Sequence, residues 1–431
     1  MIIYCNRLRV SFYRCLIMYN ISGNKGLILS ALIVSAGVLM LAVLLIAALQ
    51  LKPSQNPDAL RHFDSSFLAR AAEYNRTSLL LSVAEKFLYW ALLAGIVFIT
   101  WKNIFIARKV PVWQAALIFA AITAAIYIIV LPLQYYRSFV VEHRFGLSNQ
   151  TVQSWFADIL KDRAISFAVS MLVLTSVYTL MRYLPGWWWI AAALLFILFI
   201  IIANFIFPVL IDPLFYKFTP LTDSVLKDKI TRISETAGIK VGSIMVADAS
   251  RKTSRLNAYF AGLGKTKRIV IYDNLLLNNT DEKILSVIAH EIAHWKYRHI
   301  PAGIALESAW ILLMFFILRF IQQNFRTDTG VRLVLILFIL YSFLTFIAAP
   351  FQNFISRQFE KQADRVSVEL TQDPKTAVMV FKVLASTNLS NVDPSPVLKY
   401  LIYSHPPLIE RIKDAEKKFY LYKDSDEYKI N

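Results

Sequence analysis

Seven blocks of nearly continuous apolar residues divide the chain: Leu27–Leu49, Leu79–Trp101, Val112–Leu133, Ala164–Met181, Trp187–Leu210, Ile304–Ile321 and Val331–Pro350. A bilayer core of about 30 Å is crossed by about 20 such residues in a helix, and each block is close to that length. Buried helices of a soluble core could explain one or two of them, but not seven. Trp187, Trp188 and Trp189 at one block edge suit the aromatic belt of a membrane interface. The first block follows Arg7, Arg9, Arg14 and Lys25 and is longer than the apolar region of a secretory signal. It reads as a retained span, preceded by an N-terminal extension (1–26) in which Met18 is a second candidate initiator.

The longest polar stretch lies between spans five and six. It opens with Asp212-Pro213-Leu214-Phe215, read as a helix-stopping exit from the membrane. Val225–Ala237 then reads as a helix, and Ser243–Ala247, Arg255–Phe260 and Arg268–Tyr272 read as short strands. Gly262-Leu263-Gly264-Lys265 predicts a hairpin turn between the last two. A second polar part, mostly helical by pattern, follows span seven. The expected segments are therefore 27–210 with five spans, 211–302, 303–350 with two more, and 351–431. The fold class is mainly α: a polytopic membrane protein with seven transmembrane helices and a small α+β domain at the membrane surface. Two spans separate the two polar parts, so both emerge on one side and can share a site.

Composition agrees. The chain has 431 residues, 57% hydrophobic and only 17% charged, where soluble domains run nearer a quarter charged. The formal charge of +17 does not point to nucleic acid. Its Lys and Arg flank spans and line loops, where they meet anionic headgroups, instead of clustering with aromatics on one soluble face. Cys5 and Cys15 are the only cysteines and both precede the first span. A disulfide framework and a cysteine metal site are excluded, so a metal would need His and carboxylates.

Such residues occur in one place. Asn279-Thr280-Asp281-Glu282 predicts a helix start, with Asn279 as N-cap and Glu282 reaching back as in a capping box. The helix continues through His290-Glu291-Ile292-Ala293-His294-Trp295. Four residues advance about 400°, so the two imidazoles lie within about 40° on one face. Both can reach one zinc ion at about 2.0–2.1 Å, and Glu291 beside them can act as general base toward water. Histidines at this spacing also arise by chance on solvated helices. Here the intervening Ile292 and Ala293 are apolar, as a buried face requires, and the chain has only six histidines. An extended zinc motif would place Gly at 297 and His at 300, but Tyr297 and Ile300 stand there. His299 is one residue out of register and reads as a surface histidine at the helix end. Glu360 is the better third ligand, with Asp364 one turn on to hold a histidine N–H. The same spacing also suits a solvated charged helix face.

Taken in order, His290–His294, Glu360-x-x-x-Asp364 and Ser404-His405-Pro406-Pro407-Leu408-Ile409-Glu410-Arg411 resemble the signature of the type I CAAX prenyl endopeptidases. Asn257-Ala258-Tyr259-Phe260 and Pro213-Leu214-Phe215 with Lys217–Leu221 match further segments of that family. The resemblance implies a membrane protease with one Zn2+ held by His290, His294 and Glu360. Glu291 would be the general base, and Asp364 would orient a ligand. His405 would stabilise the oxyanion, assisted or positioned by Arg411. Asn257, Ala258 and Tyr259 would bind the substrate by strand addition. It also implies peptide or protein substrates, prenylated ones included, and a catalytic side facing the cytoplasm. The basic N-terminal residues on the opposite side pull against that orientation.

Other readings compete. Gly264-Lys265-Thr266 suggests a phosphate loop, but Tyr259 stands where its first glycine would be, so ATP is not expected. Heat-shock membrane metalloproteases, which act in general quality control, share the His-Glu-x-x-His motif and a downstream Glu. A transporter or metal-binding scaffold without hydrolysis would need ionisable residues inside spans. The spans hold few, such as Glu85, Lys86, Glu307 and Arg319, all near span ends.

Overall fold

The computed structural model describes residues 25–100, 109–261, 267–323 and 330–427, with side chains to residue 418. The expected N-terminal extension up to residue 24, both cysteines and the hairpin turn at 262–265 lie outside the described residues. Seven described helices are long and apolar enough to cross a membrane: Lys25–Leu49, Ser65–Ile99, Val112–Arg144, Val152–Tyr183, Trp188–Phe215, His299–Gln322 and Val331–Thr371. Each contains one expected apolar block or nearly all of it. Several run well past their block, because apolarity marks what a bilayer must cover whereas caps decide where a helix begins. The Asp64 side chain accepts from Phe67 N and Thr151 from Ser154 N, so the second and fourth helices start well before their apolar stretches. Apolar side chains point outward, with Leu39 66%, Phe98 81% and Leu160 72% exposed. That is the surface a lipid solvent requires.

Two prolines behave differently from their local reading. The fifth helix does not stop at Asp212-Pro213; a π-type turn over Phe207–Ile211 absorbs Pro208, and the helix continues to Phe215. The seventh does not end at Pro350 but continues to Thr371. Packing holds this extension in helical form. Buried Arg357 donates from Nη1 to the carbonyls of Lys399 (3.0 Å) and Tyr403 (2.5 Å), and Ala363, Val366 and Val368 are buried. Local proline chemistry loses to tertiary contact.

Three ionisable residues of the spans have polar partners. Glu85 meets Arg137 and Gln134, Gln352 donates to Glu307 (2.8 Å), and Arg319 donates to Gln322 (2.8 Å). The polar stretch after span five forms a four-stranded sheet in the order β1-β2-β4-β3. Its strands are β1 (Phe218–Pro220), β2 (Ser243–Ala247), β3 (Ala258–Ala261) and β4 (Arg268–Tyr272). Strand β2 pairs parallel with β4, while β1 and β3 lie antiparallel on the two edges. Helix Ser224–Thr236 packs on this sheet through Leu226 and Ile230.

Spans one, two and seven meet at a close contact. The Trp90 ring stacks on Phe343 at 3.9 Å and its Nε1 donates to Ser342 Oγ at 2.9 Å. A Cβ at Gly37 would collide with the Phe343 ring. Replacing Gly37 with Leu should therefore cost about 1–3 kcal/mol by overpacking and lower the thermal midpoint in detergent, followed by tryptophan fluorescence. An unchanged midpoint would refute this contact.

Candidate active site

The motif helix, Asp281–Lys296, is built with two useful faces. Ile284, Ile288 and Ile292 form one stripe at four-residue spacing and pack with Ile230, Ile244, Ile269 and Ile271 of the sheet domain. Ala293 belongs to the other face, in a small cluster with Ala363 and Val366 of the span-seven helix. Ser367 Oγ donates to the Ser286 carbonyl at 3.0 Å. Small side chains let the two helices approach closely, which sets the histidines of one against the carboxylates of the other.

The helix start departs from its expected form. Thr280, not Asn279, occupies the N-cap, with no side-chain cap bond. The Asn279 amide donates instead to the Leu275 carbonyl at 3.1 Å, because helix Asp273–Leu277 ends just before it and leaves that carbonyl free. With Thr280 as N-cap, Glu282 stands one position too early for a capping box, and its carboxyl is held below its usual range by the local backbone and the Thr280 side chain.

At the centre, His290, His294 and Glu360 each offer one ligand atom, all within 4.8 Å of one another. The two Nε2 atoms are 3.1 Å apart, and they lie 3.2 and 3.4 Å from the Glu360 carboxylate oxygens. Glu360 is buried, and its Oε2, 3.2 Å from His290 Nε2 and 3.4 Å from His405 Nε2, meets neither in well-aimed hydrogen-bond geometry. A buried carboxylate oxygen left bare beside two imidazoles is the donor set that a divalent cation satisfies. The residues present fit a metal.

Asp364 sits one turn beyond Glu360, its Oδ1 2.9 Å from His290 Nδ1. The contact is close but poorly directed, leaving Nδ1 without a well-aimed hydrogen bond. Arg411 grips Asp364 with two hydrogen bonds of 2.7 and 2.6 Å. The fork of a guanidinium matches a carboxylate, so Arg411 bonds Asp364; among the described residues no hydrogen bond joins it to His405, the group it is expected from sequence to assist or position. His405 Nε2 lies 3.4 Å from Glu360 Oε2, and Ser404 Oγ is 2.9 Å from its Nδ1.

Charge is finely balanced here. Burial opposes a charged His290, but Asp364 and Glu360 overcome this and hold it up to about 10. Burial and the neighbouring His290 push His294 down to about 4. Burial also pushes the Glu291 carboxyl up to about 7; Glu360 adds to the rise, while His290 and Arg411 oppose it. A metal bound here would displace a proton from His290.

Two residues read from sequence lie elsewhere than expected. His299 is buried, not on the surface, and its Nδ1 is 2.9 Å from His294 Nδ1. No helical periodicity could have found it, because Arg298 takes a left-handed φ of 55° and turns the chain back. Strand β3 starts at Ala258, not Arg255. The Arg255 side chain is drawn to Tyr74 and Glu142, and the Asn274 amide bonds the carbonyls of Thr253 and Arg255. Of the three expected substrate contacts, Asn257 lies just before the strand and its carbonyl accepts from Tyr272 N at 3.1 Å. Ladder alternation then turns the main-chain groups of Ala258 and Phe260 toward the free edge. The Tyr259 hydroxyl donates to Asp212 at 2.7 Å, fastening the edge strand to the end of span five. A cavity of about 490 Å³ opens beside His405, lined in part by Asn75, Ser78, Arg255 and Asn388.

The arrangement has known relatives. Residues 220–418 match the family model of peptidase family M48, and residues 45–217 match that of the CAAX prenyl protease N-terminal region, with five membrane helices. An uncharacterized metalloprotease of Bacillus subtilis, YhfN, is 33% identical over 68% of this chain and 70% of its own length. CAAX prenyl protease 1 of Saccharomyces cerevisiae is 32% identical over 65% of this chain and 67% of its own. The crystal structure of S. mikatae Ste24p superposes with a TM-score of 0.73 at 26% identity, covering 90% of this chain and 98% of that one. The chain therefore belongs to peptidase family M48 and is a multi-pass membrane metalloprotease resembling the CAAX prenyl proteases.

Proposed function

We propose that this protein is a zinc endopeptidase whose site faces the cytoplasm and whose substrates include prenylated proteins trimmed near the C-terminus. The observation that carries the zinc reading is the bare, buried Oε2 of Glu360 beside two imidazole nitrogens. Two nitrogens and one carboxylate form the open three-ligand set of catalytic zinc, with room for a further ligand. The prenyl part is supported by the relatives named CAAX prenyl protease 1 in Saccharomyces cerevisiae and CAAX prenyl protease 1 homolog in Arabidopsis thaliana, and the cytoplasmic part by the family resemblance of the sequence motifs alone.

His290, His294 and Glu360 would hold the ion, which when bound polarises a carbonyl and acidifies water. Glu291, with a carboxyl near neutrality, takes the proton of the attacking water and returns it to the leaving amine. Asp364, fixed by Arg411, keeps the His290 ring in place. His405, across Glu360 from the motif helix, donates toward the oxyanion. The substrate lies extended along β3, bonded to the outward main-chain groups of Ala258 and Phe260, with Asn257 and Tyr259 shaping its track. Main-chain recognition asks little of sequence, so the same geometry serves unprenylated membrane proteins in quality control. A peptide with and without a farnesyl group, its products mapped by mass spectrometry, separates the two. Cleavage near a prenylated C-terminus should be the faster, and equal rates would favour quality control.

Glu291→Gln should keep bound zinc while kcat/KM falls about 10²–10⁴-fold, and Glu360→Ala should lose the metal. Full activity in the first, or full occupancy by elemental analysis in the second, would overturn the mechanism. Arg411→Met removes one of the two partners of the Asp364 carboxylate and leaves it only His290. Its thermal unfolding in detergent should report a loss of about 3–5 kcal/mol, and an unaltered melting curve would show that Asp364 does not need this partner.

A further inference from the structure

Five residues beyond His294, an unbroken helix would put a side chain about 140° away from it. The helix is broken: it ends at Lys296, Arg298 is left-handed, and the next helix opens at His299. Arginine in that conformation carries strain that glycine would not, so surrounding contacts must hold it. Those contacts centre on His299. Its ring stacks flat on Phe359, centroids 4.4 Å apart and 8° from parallel. Its Nδ1 is 2.9 Å from His294 Nδ1, and its Nε2 is 3.0 Å from Gln362 Oε1. Phe359 and Gln362 flank Glu360 on the span-seven helix.

The partners set the proton positions, given the Gln362 amide with its oxygen toward the ring. An amide oxygen has no proton to give, so His299 Nε2 donates to it. A neutral ring then has a bare Nδ1, which can only accept. His294 Nδ1 is therefore the donor, and the lone pair of His294 Nε2 is left to face Glu360 and His290. The opposite direction would put a proton on Nε2 and close it to any metal.

We propose that His299 and Gln362 form a neutral hydrogen-bond relay that fixes the tautomer and orientation of His294 for metal binding. It rests on the reading of His290, His294 and Glu360 as metal ligands. The relay ties the second histidine to the helix that supplies the carboxylate, so two ligands from separate chain segments keep one geometry. His299 is a positioning residue, acting only through His294. The two histidines are then held by unlike partners, His290 by the charged pair Asp364–Arg411 and His294 by a chain of neutral groups.

The test uses the full-length protein in detergent, stripped of metal by a chelator and titrated with Co2+, whose visible absorption reports coordination geometry. His299→Phe keeps the stack on Phe359 but removes both nitrogens. His299→Asn loses the stack but places an amide oxygen near the former Nδ1. The relay requires the Phe variant to bind Co2+ about 10–100-fold more weakly, with an altered spectrum. It requires the Asn variant to recover to within about threefold of the wild type on the same scale. The reverse order, with Phe binding normally and Asn weakly, would reduce His299 to packing and overturn the proposal. Gln362→Met removes the outer acceptor without touching His299 and should weaken Co2+ binding in the same sense. It decides the matter if His299→Phe fails to fold, and unchanged affinity there would refute the relay. Glu360→Ala separates the relay from the metal centre it serves. If it binds Co2+ as well as the wild type does, the metal centre itself is wrong and the relay falls with it. If only Glu360→Ala binds weakly, the metal centre stands and the relay alone fails.

Discussion

The close packing of two helices governs the site. The motif helix and the extension of span seven approach through Ala293, Ala363 and the Ser286–Ser367 bond, and every proposed metal ligand stands on one or the other. Bulk at these positions would push the carboxylates away from the histidines by more than a metal bond tolerates. Helices also hold side chains more rigidly than loops, which suits a site where tenths of an ångström matter. The continuous helix through Pro350 thus has a purpose: it carries Glu360 and Asp364 out of the apolar region on a stiff rod.

Burying this much charge is costly unless each group is answered. Asp364 is answered twice, by Arg411 and His290. Glu360 is surrounded by three imidazoles, those of His290, His294 and His405, and still keeps a bare oxygen. Glu291 stands apart from this network. Its carboxyl is raised to about 7 by burial, a value suited to taking and returning a proton near neutral pH. Paired carboxylates and a raised carboxyl thus stand side by side, and environment alone makes the difference.

The membrane part prepares the site without entering its chemistry. Tyr259 fastens the edge strand to Asp212 at the end of span five. Arg255 joins the sheet domain to Tyr74 and Glu142, on the second and third spanning helices. These polar ties orient the sheet domain on the bundle and bring Arg255, just before β3, to the lining of the cavity beside His405. Glu85, Glu307 and Arg319 inside the spans pair with nearby polar partners, and the Glu307–Gln352 pair lines a cavity of about 560 Å³ between spans five, six and seven.

Much of this was legible in the order of residues. Seven apolar blocks, the spacing of His290 and His294, and the later Glu360 and Asp364 reflect the bilayer's thickness and the helix's pitch, which act locally and leave a regular pattern. Strands β2 and β4 were likewise readable to the residue. Contacts between distant segments stayed hidden. Pro350 does not end its helix because Arg357 and the motif helix hold the turns beyond it. Arg411 turns to Asp364 because folding, not spacing, brings a carboxylate to its fork. His299 reaches His294 only because Arg298 takes a conformation that no periodicity encodes. Sequence by itself determined which groups could meet a metal; the fold alone decided how each is held, because orientation depends on neighbours far away along the chain.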